Sequence, residues 1–210
     1  MKNDRRSLPG PEDVALRRLD NGVLLAAREN FVSPAVVVRG ILEVGSMDES
    51  PEKGGLASMV AALLTRGTTR QDYEALNEAI EGVGASLGVG GRTHTTSASA
   101  KCLAEDFPAI IALLADMLRH PTFPEEHLER VRWQRITALR ERQQNTQAVA
   151  ELAFYAMAFP PAHPYHDSSS GTPETVESLA RADLVAFQRA YYGPTEAIFV
   201  VVGAVAQEEA

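Results

Sequence analysis

The sequence predicts an α+β domain, a mixed β-sheet covered by helices. Three observations carry that prediction. Asp20-Asn21-Gly22 is a tight-turn signal set between two extended runs. Segments near 56–64, 73–83 and 106–119 repeat apolar residues at helical spacing. After this block of helices, Ile198-Phe199-Val200-Val201-Val202-Gly203 reads as a strand of the type buried on both faces.

The elements follow in order. Residues 1–12 are polar and proline-marked and read as a loose N-terminal arm, and residues 13–210 read as one domain. Val14 to Leu19 and Val23 to Ala27 flank the Asn-Gly turn, and Pro34 opens a longer extended run, Ala35 to Val44, that ends at Gly45. A helix follows with Leu56, Val60, Leu63 and Leu64 on its apolar side and Gly67 as its C-cap. The next helix starts at Thr69 with Asp72 three residues on, a capping-box-like beginning, and ends at Gly82 and Gly84.

Ala85 to Gly91 and Arg92 to Leu103 read as a closely packed strand pair. The glycines between 82 and 91 do not make a phosphate loop, because Leu87 and Thr93 occupy the third glycine positions and no Gly-Lys-Ser/Thr follows. Asp106 to Arg119 is a helix with a broad apolar face. Pro124, Glu125 and Glu126 start a helix running towards Asn145, and another spans about 148–159. A loop over 160–173, a short helix near Glu174 and a clearer one from Asp183 to Tyr191 precede the final strand.

Composition narrows the function classes. Of 210 residues, 45% are hydrophobic and 23% charged, as in ordinary globular chains. Twenty basic residues against 28 acidic ones give a formal charge of −8, which argues against nucleic acid or an anionic membrane as partner. Arg130, Arg132, Arg135, Arg140 and Arg142 are interleaved with Glu125, Glu126, Glu129 and Glu141, the pattern of a solvated, salt-bridged helix. No apolar run follows the basic start and no later segment is long enough to span a bilayer, so the expectation is a cytoplasmic chain. The single Cys102 allows no intrachain disulfide and reads as a small core residue.

The histidines offer no convincing site. His163 and His166 sit in a proline-rich loop near Asp167, His94 reads as a strand residue, His120 falls at a helix C-terminus and His127 reads as surface.

The run Gly54-Gly55-Leu56-Ala57-Ser58-Met59-Val60-Ala61-Ala62-Leu63-Leu64-Thr65-Arg66-Gly67-Thr68 carries a resemblance. Nearly position for position, it resembles the helix on which zinc peptidases of the pitrilysin/insulinase family (M16) bear the inverted motif His-x-x-Glu-His. Further resemblances to that family are the hairpin at 19–22, His120-Pro121-x-Phe123, and His163-Pro164-Tyr165 with Gly171 after it. So is the run from Asp183 through Phe187 to Tyr191-Tyr192-x-Pro194, and together they cover roughly Leu16 to Glu209.

The resemblance implies an M16 metallopeptidase domain (LuxS/mitochondrial-processing-peptidase-like), the first domain of a longer chain. It places the three motif positions on Ser58, Ala61 and Ala62, and the third-ligand glutamate position on Ala138, with Glu141 nearly one turn further. Residues at i, i+3 and i+4 share a helical face, which is why the motif can gather two imidazoles and a carboxylate on one zinc. Alanine has no lone pair to offer. The implied chain has no catalytic residue, metal ligand or cofactor of its own, and is uncertain as an enzyme by itself. It pairs with an active M16 subunit or half that carries His-x-x-Glu-His and zinc, and helps form the peptide-binding chamber. Two alternatives stay open: an active zinc metallopeptidase whose ligands lie elsewhere, and a purely structural scaffold like the core proteins of respiratory complexes. Ser58, Ala61 and Ala62 also read simply as a small-residue face that admits a close neighbour.

Overall fold

The computed structural model describes residues 10–194 and 197–209. The arm's residues 1–9 lie outside that range, and Pro11–Asp13 forms a short 3-10 turn. β1 (Ala15–Arg18) and β2 (Leu24–Glu29) form the hairpin, and β3 is Ala35–Leu42. The helices α1 (Leu56–Leu63) and α2 (Tyr73–Glu81) precede β4 (Ser86–Gly91) and β5 (Thr96–Leu103). Five helices follow: α3 (Phe107–Arg119), α4 (Glu125–Gln143), α5 (Thr146–Ala158), α6 (Pro173–Ser178) and α7 (Arg181–Tyr191). The last strand is β6 (Ala197–Gly203).

One six-stranded sheet runs β1-β2-β6-β3-β5-β4. The sheet is mixed because β6 inserts between β2 and β3, parallel to the first and antiparallel to the second. The hairpin turn is fixed as its sequence dictates: Gly22 takes φ +98, and Asn21 Oδ1 accepts the Val23 amide at 3.1 Å.

The strand registers put Val36, Val38 and Leu42 of β3 on the same face as Ala98, Ala100 and Cys102 of β5 and Ala197 and Val201 of β6, and all are buried. Against that face pack Met59, Val60 and Leu63 of α1, Ile110 and Leu114 of α3, and Leu184 and Phe187 of α7. Over β2 and β6 the cover is thinner, leaving an apolar cavity of about 430 Å³ lined by Leu25, Ile111, Leu114, Tyr192 and Phe199. On the opposite face, among the described residues, Arg39, Ile41, Ile198 and Val200 are exposed.

That exposure corrects the expectation for β6. The strand is not buried on both sides: Ala197 and Val201 are inside while Ile198 and Val200 are exposed. A continuous apolar run was the wrong signal for two-sided burial here, since helices cover one face only. Helix ends differ too. Asp72, not Thr69, caps α2, accepting the Ala75 amide at 2.9 Å. The first helix stops at Leu63 with Leu64 as its C-cap, and Gly67 lies beyond it at φ +140, where the chain reverses.

That reversal joins two of the sequence signatures. The Thr69 amide donates to the His120 carbonyl at 3.0 Å and the Thr122 amide to the Gly67 carbonyl at 3.1 Å, so 66–69 and 120–123 form one knot. Phe123, buried with φ +47, is held there by Arg181, whose Nε donates to the Phe123 carbonyl at 2.9 Å.

Candidate functional site

The motif helix is built from small residues where it meets the sheet. Ala57 and Ala61 are buried against β4 at Gly91, where a Cβ added to the glycine would lie 3.1 Å from the Ala57 carbonyl oxygen and 3.2 Å from the Ala61 methyl. The small-residue face therefore works as expected for Ala61, which is 1% exposed. Ser58 and Ala62 differ: both are only half-buried, one residue round the helix from the Ala57 and Ala61 positions that face β4. Ala138 is exposed on α4, which packs against α1. A catalytic zinc needs three ligating side chains and an open position. Ser58, Ala61, Ala62 and Ala138 offer one hydroxyl and three methyl groups, so they do not fit the ion, and no step through zinc follows from them.

The start of α1 depends on a residue that sequence patterning did not single out. Gly55 at φ +93 leads into the helix, and its own N-cap position supplies no side chain. Glu49, from the preceding loop, takes that role: its two carboxylate oxygens accept the Gly55 amide at 2.9 Å and the Ala57 amide at 2.8 Å. Burial nonetheless outweighs those hydrogen bonds, and with Asp48 nearby it pushes the carboxyl up to about 7. The folded chain therefore holds a proton there between about pH 4.5 and 7 that the unfolded chain has lost, so stability falls as pH rises through that window. The expected loss is about 2 kcal/mol after solvent screening. Urea denaturation from pH 4.5 to 8 should show this slope in the parent and not in Glu49→Gln; parallel profiles would remove Glu49 from the account.

Beside Glu49 opens a cleft of about 600 Å³ between the 46–54 loop, the end of α4 at Leu139 and Arg142, α5 at Leu152 and the loop carrying His163 and His166. The histidines disperse. His94 lies in the turn between β4 and β5 rather than in a strand, its Nε2 2.8 Å from the Tyr165 hydroxyl. His163 stacks on Phe159 with ring centroids 4.5 Å apart, and His166 Nδ1 donates to the Phe159 carbonyl at 2.9 Å. His120 caps α3 and contacts Asp116 at 3.0 Å, as its position at a helix end suggested. His127, read as a surface residue, is half-buried against Tyr73. Among the described residues no group of three His, Cys, Asp or Glu stands together as a metal site would require.

The fold has a family. The profile of "Insulinase (Peptidase family M16)" matches residues 24–163, well over half of the chain. The chain belongs to peptidase family M16. A mitochondrial relative, cytochrome b-c1 complex subunit 1 of Bos taurus, is 27% identical over 201 residues, covering 94% of this chain and 41% of its own length. A probable mitochondrial-processing peptidase subunit beta of Arabidopsis thaliana is 28% identical over 202 residues, covering 96% of this chain and 38% of its own. Among solved structures, a peptidase M16 inactive domain from Pseudomonas fluorescens superposes with a TM-score of 0.87 at 25% identity. It is covered to 47% of its length by 93% of this chain. This M16 chain thus spans less than half the length of each of these relatives.

M16 membership accounts for the order of signatures along the sequence. The mixed α+β sheet expected from them is the sheet observed. Among the described residues no helix is long and apolar enough to cross a membrane, and the expectation of a cytoplasmic chain extends no further than that. Glu49 could have been found from sequence by asking what caps a helix that begins Gly-Gly-Leu with no Ser, Thr, Asp or Asn beside it.

Proposed function

We propose that this chain is a non-catalytic M16 domain, the first of a longer polypeptide, which works beside an active M16 subunit or half and forms part of a peptide-binding wall. The observation that carries this reading is a helix kept in place without its chemistry. α1 retains its cap, its close seat on β4 and its contact with α4, while the positions where the motif would fall are Ser58, Ala61, Ala62 and Ala138. A likeness to a structure described as an inactive M16 domain supports it. So does the sheet: β4 is an edge strand beside α1, with backbone groups open to an added extended peptide.

A second reading, a structural scaffold without any protease, is favoured by the 27% identity to a cytochrome b-c1 complex subunit. The two diverge in what co-purifies: a chain with His-x-x-Glu-His for the first, a non-peptidase assembly for the second. Peptide binding provides the direct test. The chain alone carries only one side of a groove, and most of the ordering cost of a bound peptide stays uncompensated. Fluorescence anisotropy with a mixed peptide pool should therefore show weak binding by the chain alone, tightened by the active partner at least roughly tenfold. Tight binding unaffected by a partner would make it an independent peptide-binding module.

A further inference from the structure

Three elements meet around one aromatic ring at the far end of the motif helix, two of them bringing an arginine. Tyr73 opens α2, Arg66 lies in the turn four residues beyond Ala62, and His127 and Arg130 stand on the first turns of α4. The Arg66 guanidinium carbon sits 4.8 Å from the Tyr73 ring centroid, that of Arg130 5.7 Å, and the His127 ring 4.7 Å. A guanidinium lying over a ring keeps in-plane N–H groups that can donate, and that of Arg66 also engages the Tyr73 hydroxyl. Arg66 Nε is buried and makes no hydrogen bond among the described residues. Arginine only donates, so the 2.8 Å contact from Arg130 Nη2 is accepted by His127 Nδ1, and the neutral ring carries its proton on Nε2.

The counter-charge is what this cluster lacks. The chain has 28 acidic residues, yet among the described residues none forms an ion pair with Arg66 or Arg130. Glu126 is the acidic group near His127 and only partly offsets the cations: burial first, then Arg130 and Arg66, hold the imidazole below its ordinary range. Two guanidinium groups and an imidazole N–H around one ring form a half-built ion cluster, completed by a planar oxyanion that takes paired donors.

We propose that Arg66, Arg130 and His127 form a carboxylate-binding site whose ligand is an acidic peptide, held by an aspartate or glutamate side chain or by its C-terminus. The site stands on its own geometry; only the assignment of its carboxylate to a peptide rests on the peptide-wall reading above.

The test follows His127 by NMR in the 210-residue chain. The probes are N-acetylglycine (a terminal carboxylate), N-acetylaspartate α-amide (a side-chain carboxylate) and inorganic phosphate. A bound carboxylate opposes the arginines, so at least one of the first two probes should raise the His127 titration midpoint. Arg130→Gln, at an exposed position, should weaken that probe at least roughly tenfold. Arg66→Gln should do the same, with circular dichroism confirming the fold. The stronger of the two carboxylates identifies the source. No movement of His127 with either carboxylate, undiminished binding in Arg130→Gln, or binding of phosphate alone would overturn the proposal. If carboxylates bind as expected but partner-dependent peptide binding fails, the site holds and the peptide-wall reading falls.

Discussion

A variant carrying Ser58→His, Ala62→His and Ala138→Glu is expected to bind zinc stoichiometrically, where the parent binds none measurably. Ser58 and Ala62 are one turn apart on the half-exposed sector of α1, and Ala138 is exposed on the neighbouring α4, so all three positions accept larger side chains. Micromolar or tighter binding corresponds to about 8 kcal/mol. Adding Ala61→Glu to restore the base is a different matter. That position is closed against Gly91, and a carboxylate there should cost about 3 kcal/mol of stability. Calorimetric zinc titration and denaturation of the triple and quadruple variants check both statements. A folded triple variant with no gain in affinity would mean that Ala138 does not face α1.

The second large effect concerns the loop before α6. Gly171 has φ +71, and an added Cβ would collide with the Gly54 carbonyl group and lie 2.8 Å from Thr175 Oγ1. That hydroxyl donates to the Gly54 carbonyl at 2.7 Å, so two backbone segments meet there with no room for a side chain. Gly171→Ala should cost about 4 kcal/mol, a left-handed backbone plus a clash with groups that cannot rotate away. Gly84→Ala is the control, since Gly84 has φ +63 with nothing within 4 Å of the added Cβ. It should lose only about 1 kcal/mol. Equal losses in urea denaturation would show that backbone conformation alone, and not the approach of Gly54, sets the cost.

What the sequence disclosed depended on the range of the forces involved. The β1–β2 hairpin was legible because Asn21 and Gly22 settle their turn locally. The α3 helix was legible because Ile110, Leu114 and Met117 mark one buried face. The exposure of Ile198 and Val200 was not, since it depends on helices covering one side of the sheet, a fact of tertiary packing. At the candidate site, the motif outline on α1 could be read by position. Glu49 was passed over, because it reaches its helix from an irregular loop six residues before Gly55 and only the missing local cap hints at it. The arginines of α4 looked like a uniform solvated run, yet they divide by contact. Arg132 is tied to Glu129 and to the Val176 carbonyl, while Arg130 turns to His127 and Tyr73.

Metal content and peptide hydrolysis, measured on one preparation of the chain purified without chelators, test the central claim most directly. Well under one zinc per chain and no hydrolysis of a mixed peptide pool are expected. One tightly held zinc per chain, removed only with loss of hydrolysis, would contradict that claim.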